Sequence, residues 1–185
     1  MTARYSDAMA QDQSVPKLWL LSDARNDAML ETALAQLPRR SGFVFRHYHL
    51  PERERADRFA TLLGEARARD HVVLVSCGAS LPGADRADGV YGSAQAIAAS
   101  RQRLRYATAH DANEIDAAQA AGAAAIFLSP VFATRSHPGG ATLGPLGFGV
   151  LAQRARVPVI ALGGMTLDRA TWLDWPRWAA IDGLA

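Results

Sequence analysis

Two consecutive glycines, Gly163 and Gly164, close the apolar run of residues 157–162 and stand directly before Met165-Thr166. Glycine lets the backbone approach an anion closely, and the first N–H groups of a following helix carry partial positive charge. Such a segment can hold a phosphate, although a tight turn also uses glycine. Other reactive side chains sit just past apolar runs in the same way. Arg46 could grip an anion, as a charge-assisted donor to phosphate oxygens. His110 and His137 could each act as a general base toward a bound ring. Each has a plainer role as well: His110 as a helix-start residue satisfied by the backbone, His137 as a solvated residue of a glycine-rich loop. Asp182 and Gly183 end the last run. The single cysteine, Cys77, has no partner for a disulfide, and no CxxC or Cys/His cluster points to zinc.

The elements that would position these residues are readable from periodicity. Apolar runs rich in β-branched residues occur at 18–23, 42–48, 72–77, 89–91, 104–109, 124–129, 157–164 and 178–182. They are continuous rather than alternating, as in parallel strands buried on both faces. Between them lie amphipathic stretches. Phe59, Leu62, Leu63 and Ala66 fall at i, i+3, i+4 and i+7, which is helix spacing. Met29, Leu30, Leu34 and Leu37 share one side of another helix. Asp111 and Glu114 form a capping-box-like helix start, and Thr166 can cap a helix running to Leu173. Eight such units predict an α/β fold, a (β/α)8 TIM barrel over residues 17–185 preceded by a polar segment, 1–16. At about 21 residues per unit the barrel is compact against the ~250 residues typical of this fold. Two economies account for that: a shortened third connection (78–88, with Pro82 and two glycines) and no eighth helix. An open doubly wound sheet is the alternative. In a barrel the active site lies at the C-terminal ends of the strands, and the seventh and eighth loops commonly hold phosphate. Arg46, Thr108, His110, Gly163, Gly164 and Gly183 all fall at such ends.

Composition narrows the function classes. The chain has 185 residues, 49% hydrophobic and 21% charged, which fits a globular domain and excludes a disordered or fibrous one. Twenty basic residues face 18 acidic ones, and Lys17 is the only lysine. The arginines are spread along the chain without a dense basic block, so no nucleic-acid partner is expected. No apolar run approaches the ~18 residues of a membrane span. The polar N-terminus lacks the apolar core of a signal peptide, and a cytoplasmic location is expected. The flank left open by an absent eighth helix would invite a homo-oligomer, with Trp172, Trp175 and Trp178 available to pack there.

The ordered series of segments resembles thiamine-phosphate synthase and its TenI-like relatives, the thiazole tautomerases. Residues 18–23 (LWLLSD) are similar to the family's opening strand and 87–91 (ADGVY) to its fourth. Thr108-Ala-His110, with Glu114 and Ala121-Gly-Ala123 downstream, is similar to its Ser-Ala-His motif. Residues 129–134 (SPVFAT) resemble its loop after the sixth strand, and 158–164 (PVIALGG) its Gly-Gly strand. The resemblance implies a protein of thiamine biosynthesis. Its substrates would be small phosphorylated metabolites: a thiazole phosphate coupled to a hydroxymethylpyrimidine diphosphate, with release of pyrophosphate and Mg2+ as cofactor. It further implies that Gly163 and Gly164 hold the thiazole phosphate, that Arg46 faces the diphosphate, and that Thr108 and Thr134 take the places of the family's serine and loop threonine. Several positions depart from the pattern. Val44 and Tyr48 replace a glutamine and a lysine, Ser76-Cys77 stands where the family has Asn-Asp, the second metal aspartate falls near Ala96, and the loop lysine near His137. Ser129-Pro130 occupies the region of the tautomerase's catalytic histidine. The metal half is thereby eroded while the thiazole-phosphate half is kept. A non-catalytic barrel binding a phosphometabolite or a partner enzyme, and an isomerase using His110 or His137, are the competing expectations.

Overall fold

The computed structural model describes residues 15–184 apart from 79, 137 and 183. Its strands are β1 (Leu18–Leu21), β2 (Gly42–Phe45), β3 (Val72–Ser76), β4 (Gly89–Gly92), β5 (Leu104–Ala109), β6 (Ala125–Leu128), β7 (Val159–Ala161) and β8 (Trp178–Ala180). Each pairs in parallel with the next, and β8 returns to β1, so the sheet closes into an eight-stranded barrel. The open-sheet alternative is thereby excluded. Helices α1 (Leu30–Gln36), α2 (Glu52–Ala68), α3 (Ala94–Ala98), α4 (Ala112–Ala120), α5 (Gly144–Ala152) and α6 (Leu167–Leu173) fill six of the connections. The third connection carries only a 3-10 turn, Ala84–Arg86. Among the described residues no helix follows β8. No helix is long and apolar enough to cross a membrane among them.

Side chains along each strand alternate between two cores. Trp19, Val44, Leu74, Tyr106, Phe127 and Ile160 point into the barrel. Leu20, Phe43, Phe45, Val73, Ile126 and Leu128 point outward beneath the helices. Both faces are dry, which is why the runs read as continuous rather than alternating. Inside, the Trp19 indole is fully buried, with ring centroids 5.2 Å from Tyr106 and 5.4 Å from Phe127. Its N–H donates to the Pro16 carbonyl at 2.8 Å, and Val15 is buried in the same inner cluster. Gly42 lies opposite Trp19 in the β1–β2 register, and a Cβ at Gly42 would fall within the indole itself.

The helix boundaries follow local chemistry. Asp111 caps α4 by accepting from the Glu114 N–H at 2.9 Å, and Thr166 caps α6 by accepting from the Arg169 N–H. The Glu114 carboxylate reaches back to the His110 N–H, one residue earlier than a capping box requires, because Asp111 is fully extended. Met29 is exposed while Leu30 and Leu34 are buried. It belongs to a 3-10 turn, Asp27–Met29, whose tighter winding takes it out of phase with α1. Trp175 packs edge-on against Phe148 at 5.0 Å and donates to the Val159 carbonyl, whereas Trp172 is largely exposed. His71, buried beneath α1, donates from Nε2 to the Leu34 carbonyl, and its Nδ1 has no partner among the described residues.

Gly42→Ala is expected to destabilise the fold by about 1–3 kcal/mol, since extra volume in a packed core displaces its neighbours. For a chain of this size that is a drop of several degrees in Tm, at about 2–4 °C per kcal/mol. Adding Trp19→Leu to the same chain should recover part of the loss in urea melts. An alanine variant that melts with the parent would mean that the indole does not fill the ring.

Candidate active site

The C-terminal ends of the strands frame one cleft of about 800 Å3. Six residues singled out from the sequence line it: Arg46, Thr108, His110, Thr134, Gly163 and Gly164. His137 and Gly183 lie outside the described residues. The cleft has two chemically distinct ends.

One end is backbone. Gly163 and Gly164 have φ of +90° and +63°. A Cβ at Gly163 would lie 2.6 Å from Pro130 Cα, and one at Gly164 would collide with the Ala133 carbonyl. The glycines therefore bring the β7 loop against the β6 loop, sealed by Val131 N–H to Leu162 O (2.9 Å) and Phe132 N–H to Gly163 O (3.0 Å). Packing accounts for the pair, yet among the described residues the N–H groups of Gly163 and Gly164 donate to no acceptor. Successive backbone N–H groups in a turn can form a concavity that takes an anion. Arg169 folds back over this loop, bonding the Gly164 carbonyl with its guanidinium 5.0 Å above the Phe132 ring. Thr134 borders the same end and accepts from the Ser136 N–H at 3.3 Å.

The other end is guanidinium. Arg46 follows β2 and is pinned three ways. Its N–H donates to Ser22 Oγ (2.8 Å), its Nε to the Ser22 carbonyl (3.0 Å) and its Nη2 to Asp23 Oδ2 (2.7 Å). Arg25 meets the other oxygen of Asp23 at 2.9 Å, Asp182 at 3.2 Å and Ser136 Oγ at 2.9 Å. Burial raises the Asp23 carboxyl, but the hydrogen bonds from Arg25 and the charges of Arg25 and Arg46 outweigh it and hold the group below its ordinary value. Between the two ends, Tyr91 is buried against the Phe127 ring, and burial pushes its hydroxyl up to about 12. His110 Nδ1 lies 2.7 Å from the Ser129 carbonyl, so Nδ1 is the donor and Nε2 is left for a ligand.

Behind Arg46 runs a chain of hydrogen bonds. Ser22 Oγ meets His47 Nδ1 at 2.8 Å, and His47 Nε2 meets Asp27 Oδ1 at 2.7 Å. Arg58 donates to the same Asp27 oxygen at 2.7 Å. His47 faces the outer layer as its position along the strand implies, stacked on Phe45 at 4.7 Å, with φ of +39°. Ser22 is fully buried, so the Ser22–His47–Asp27 alignment is a support and not a nucleophile. Asp27, His47 and His49 also lie close enough to suggest a metal site, but Asp27 already accepts from Arg58 and His47, and a cation there would face a fixed guanidinium.

The donor set does not fit Mg2+ where the family resemblance would put it. The end of β3 presents Ser76 and Cys77, and burial raises the Cys77 thiol. The buried Arg55 guanidinium reaches Ser76 Oγ (3.3 Å), the Ser80 carbonyl (3.2 Å) and the Arg46 carbonyl (3.1 Å). Asp88 sits at the opposite, N-terminal end of β4, bonded to Arg67 and to the Val73 N–H. Magnesium takes oxygen ligands, usually carboxylates, and a fixed positive charge in their place opposes it.

Sequence reasoning missed Arg25, Arg169 and Ser136. Arg25 follows the first strand by a few residues and Arg169 lies in the first turn after Gly-Gly, so their position at loop starts was the available signal. Comparison with known proteins gives a consistent outcome. A family model described as thiamine monophosphate synthase matches residues 20–173. Among solved structures, thiamine phosphate pyrophosphorylase from Pyrococcus furiosus is 23% identical, with a TM-score of 0.74 over 89% of this chain and 85% of that one. An aldolase from Escherichia coli is 9% identical, with a TM-score of 0.61 over 97% and 80%. An aldolase/citrate lyase family protein from Burkholderia cenocepacia is 13% identical, with a TM-score of 0.60 over 94% and 92%. These structures share the barrel. No curated protein matches the chain.

Burial lowers the basicity of His47 and of His71, and in each case it outweighs the partners that would raise it. The unfolded chain protonates both below the ordinary 6.5, while the folded chain resists. Their contribution to stability is therefore full above that pH and is lost as the pH falls through the lower folded values. Urea midpoints should decline from pH 7 toward pH 5, and His47→Gln should flatten the decline. An unaltered slope in that variant would show that His47 is not held neutral.

Proposed function

This chain belongs to the thiamine monophosphate synthase family, and from that premise we propose that its cleft binds a thiazole monophosphate and presents it for coupling to a hydroxymethylpyrimidine diphosphate. The observation that carries this reading is the convergence, in one cleft, of undonated glycine N–H groups, two threonine hydroxyls and a pinned arginine. The phosphate lies against Gly163, Gly164 and Thr134, where backbone donors match a dianion. The thiazole ring lies toward Tyr91 and Thr108 at the centre. The pyrimidine diphosphate approaches from the Arg46 side, where positive charge favours departure of pyrophosphate. Such chemistry belongs in the cytoplasm with other phosphorylated precursors.

A second reading is favoured by the missing metal carboxylates: a barrel that retains the phosphate site and binds without turnover. An isomerase reading rests on His110, whose fixed tautomer leaves Nε2 toward a ligand.

Isothermal titration with thiazole monophosphate should give binding that Thr134→Val weakens by about tenfold or more, since a hydrogen bond to a charged group contributes about 1.5–3 kcal/mol. Gly164→Ala should also weaken it, because its Cβ would meet the Ala133 carbonyl and displace the loop that carries the N–H. Single-turnover assays with both substrates then separate synthase from binder by product formation. His110→Asn, if it abolished ring rearrangement while binding persisted, would select the isomerase. Absence of any interaction at millimolar thiazole monophosphate would remove all three.

A further inference from the structure

We propose that the arginine end of the cleft holds the diphosphate of the second substrate without a divalent cation, and that Asp23 is a built-in counter-ion which the diphosphate displaces. This rests on the coupling reading above. Asp23 already stands where an anion would stand: one carboxylate oxygen on Arg25 Nε at 2.9 Å, the other on Arg46 Nη2 at 2.7 Å. Both guanidinium groups line the cleft. All three side chains are about three-quarters or more withdrawn from solvent, where charge pairs are screened less than at the surface.

The two arginines differ in how they are held. Arg46 keeps two bonds independent of Asp23, from its N–H to Ser22 Oγ and from its Nε to the Ser22 carbonyl. Ser22 is in turn fixed by His47, and His47 by Asp27. The guanidinium therefore stays in place when the carboxylate leaves. Arg25 is tied to Asp182 and Ser136, on the far wall, so it can follow a ligand spanning the mouth. Arg25 and Arg46 together carry two positive charges, matched by Asp23 and Asp182. A diphosphate replacing Asp23 brings more negative charge and more acceptor oxygens to the same forks. The positions that could have recruited a metal instead carry Cys77 and the buried Arg55 guanidinium. A cation between them and the diphosphate would be repelled.

The test is titration of the full chain with inorganic pyrophosphate, once in EDTA and once with millimolar Mg2+. The expected affinity with Mg2+ is no tighter than in EDTA. Asp23→Asn should tighten pyrophosphate by about fivefold, because a neutral amide competes less for the guanidinium groups, and Arg46→Gln should weaken it by about tenfold or more. Thermal melts confirm that each variant is folded. Affinity raised tenfold or more by Mg2+ would overturn the proposal, as would a folded Asp23→Asn variant that binds pyrophosphate no better than the parent. Thiazole monophosphate, titrated into the same proteins, reports the other end. Its loss with pyrophosphate binding retained sinks the coupling reading alone, and the reverse pattern sinks only the arginine site.

Discussion

Everything at the mouth of this barrel depends on the close approach of Trp19 and Gly42 at its centre. Eight parallel strands can close only if the side chains pointing inward fill the ring without overfilling it. The indole takes that volume and the missing side chain at Gly42 supplies it. Tyr106 and Phe127 meet the indole from other strands, so one large residue ties β1, β5 and β6 together. With the ring closed, the strand ends are fixed relative to one another, and loops that are far apart in sequence face a common space.

That space is divided by chemistry. The β6 and β7 loops contribute backbone donors, and the glycines there do two things at once. They let the two loops touch, and among the described residues their N–H groups have no acceptor. The β1 and β2 loops contribute guanidinium groups already neutralised by carboxylates. An arginine held by an aspartate is in position yet not free, so a ligand must compete with the protein's own anion. Such a design differs from a metal site, in which a cation is recruited along with the substrate. The Arg55 guanidinium at the end of β3 makes the difference structural, because it bonds Ser76 and two carbonyls and cannot be exchanged for a metal by a small shift.

Much of this was legible in the chain. The eight apolar runs correspond to the eight strands, and Asp111 and Thr166 cap the helices expected of them. The short third connection and the absence of a helix after β8 among the described residues follow the same reading. Arg46, Thr108, His110, Thr134, Gly163 and Gly164 share one cleft because they sit at strand ends. The alignment of Ser22, His47 and Asp27 was not legible. It joins Ser22 and Asp27, after β1, to His47, after β2, and only the pairing of those strands brings them together. Arg25 is marked in the chain only by its place after β1, because its partners Asp182 and Ser136 are far away in sequence.

The sequence by itself determined which segments become strands and helices and where glycine is required, because those depend on periodicity and backbone freedom within a few residues. Tertiary structure alone decided which charges meet. Asp23 and Arg46 are neighbours because β1 and β2 pair in one register, and Asp88 is remote from both because it precedes its strand instead of following it. Which end of a strand a residue occupies is local, but which strand ends face one another is set by register and ring closure, and no local pattern encodes that.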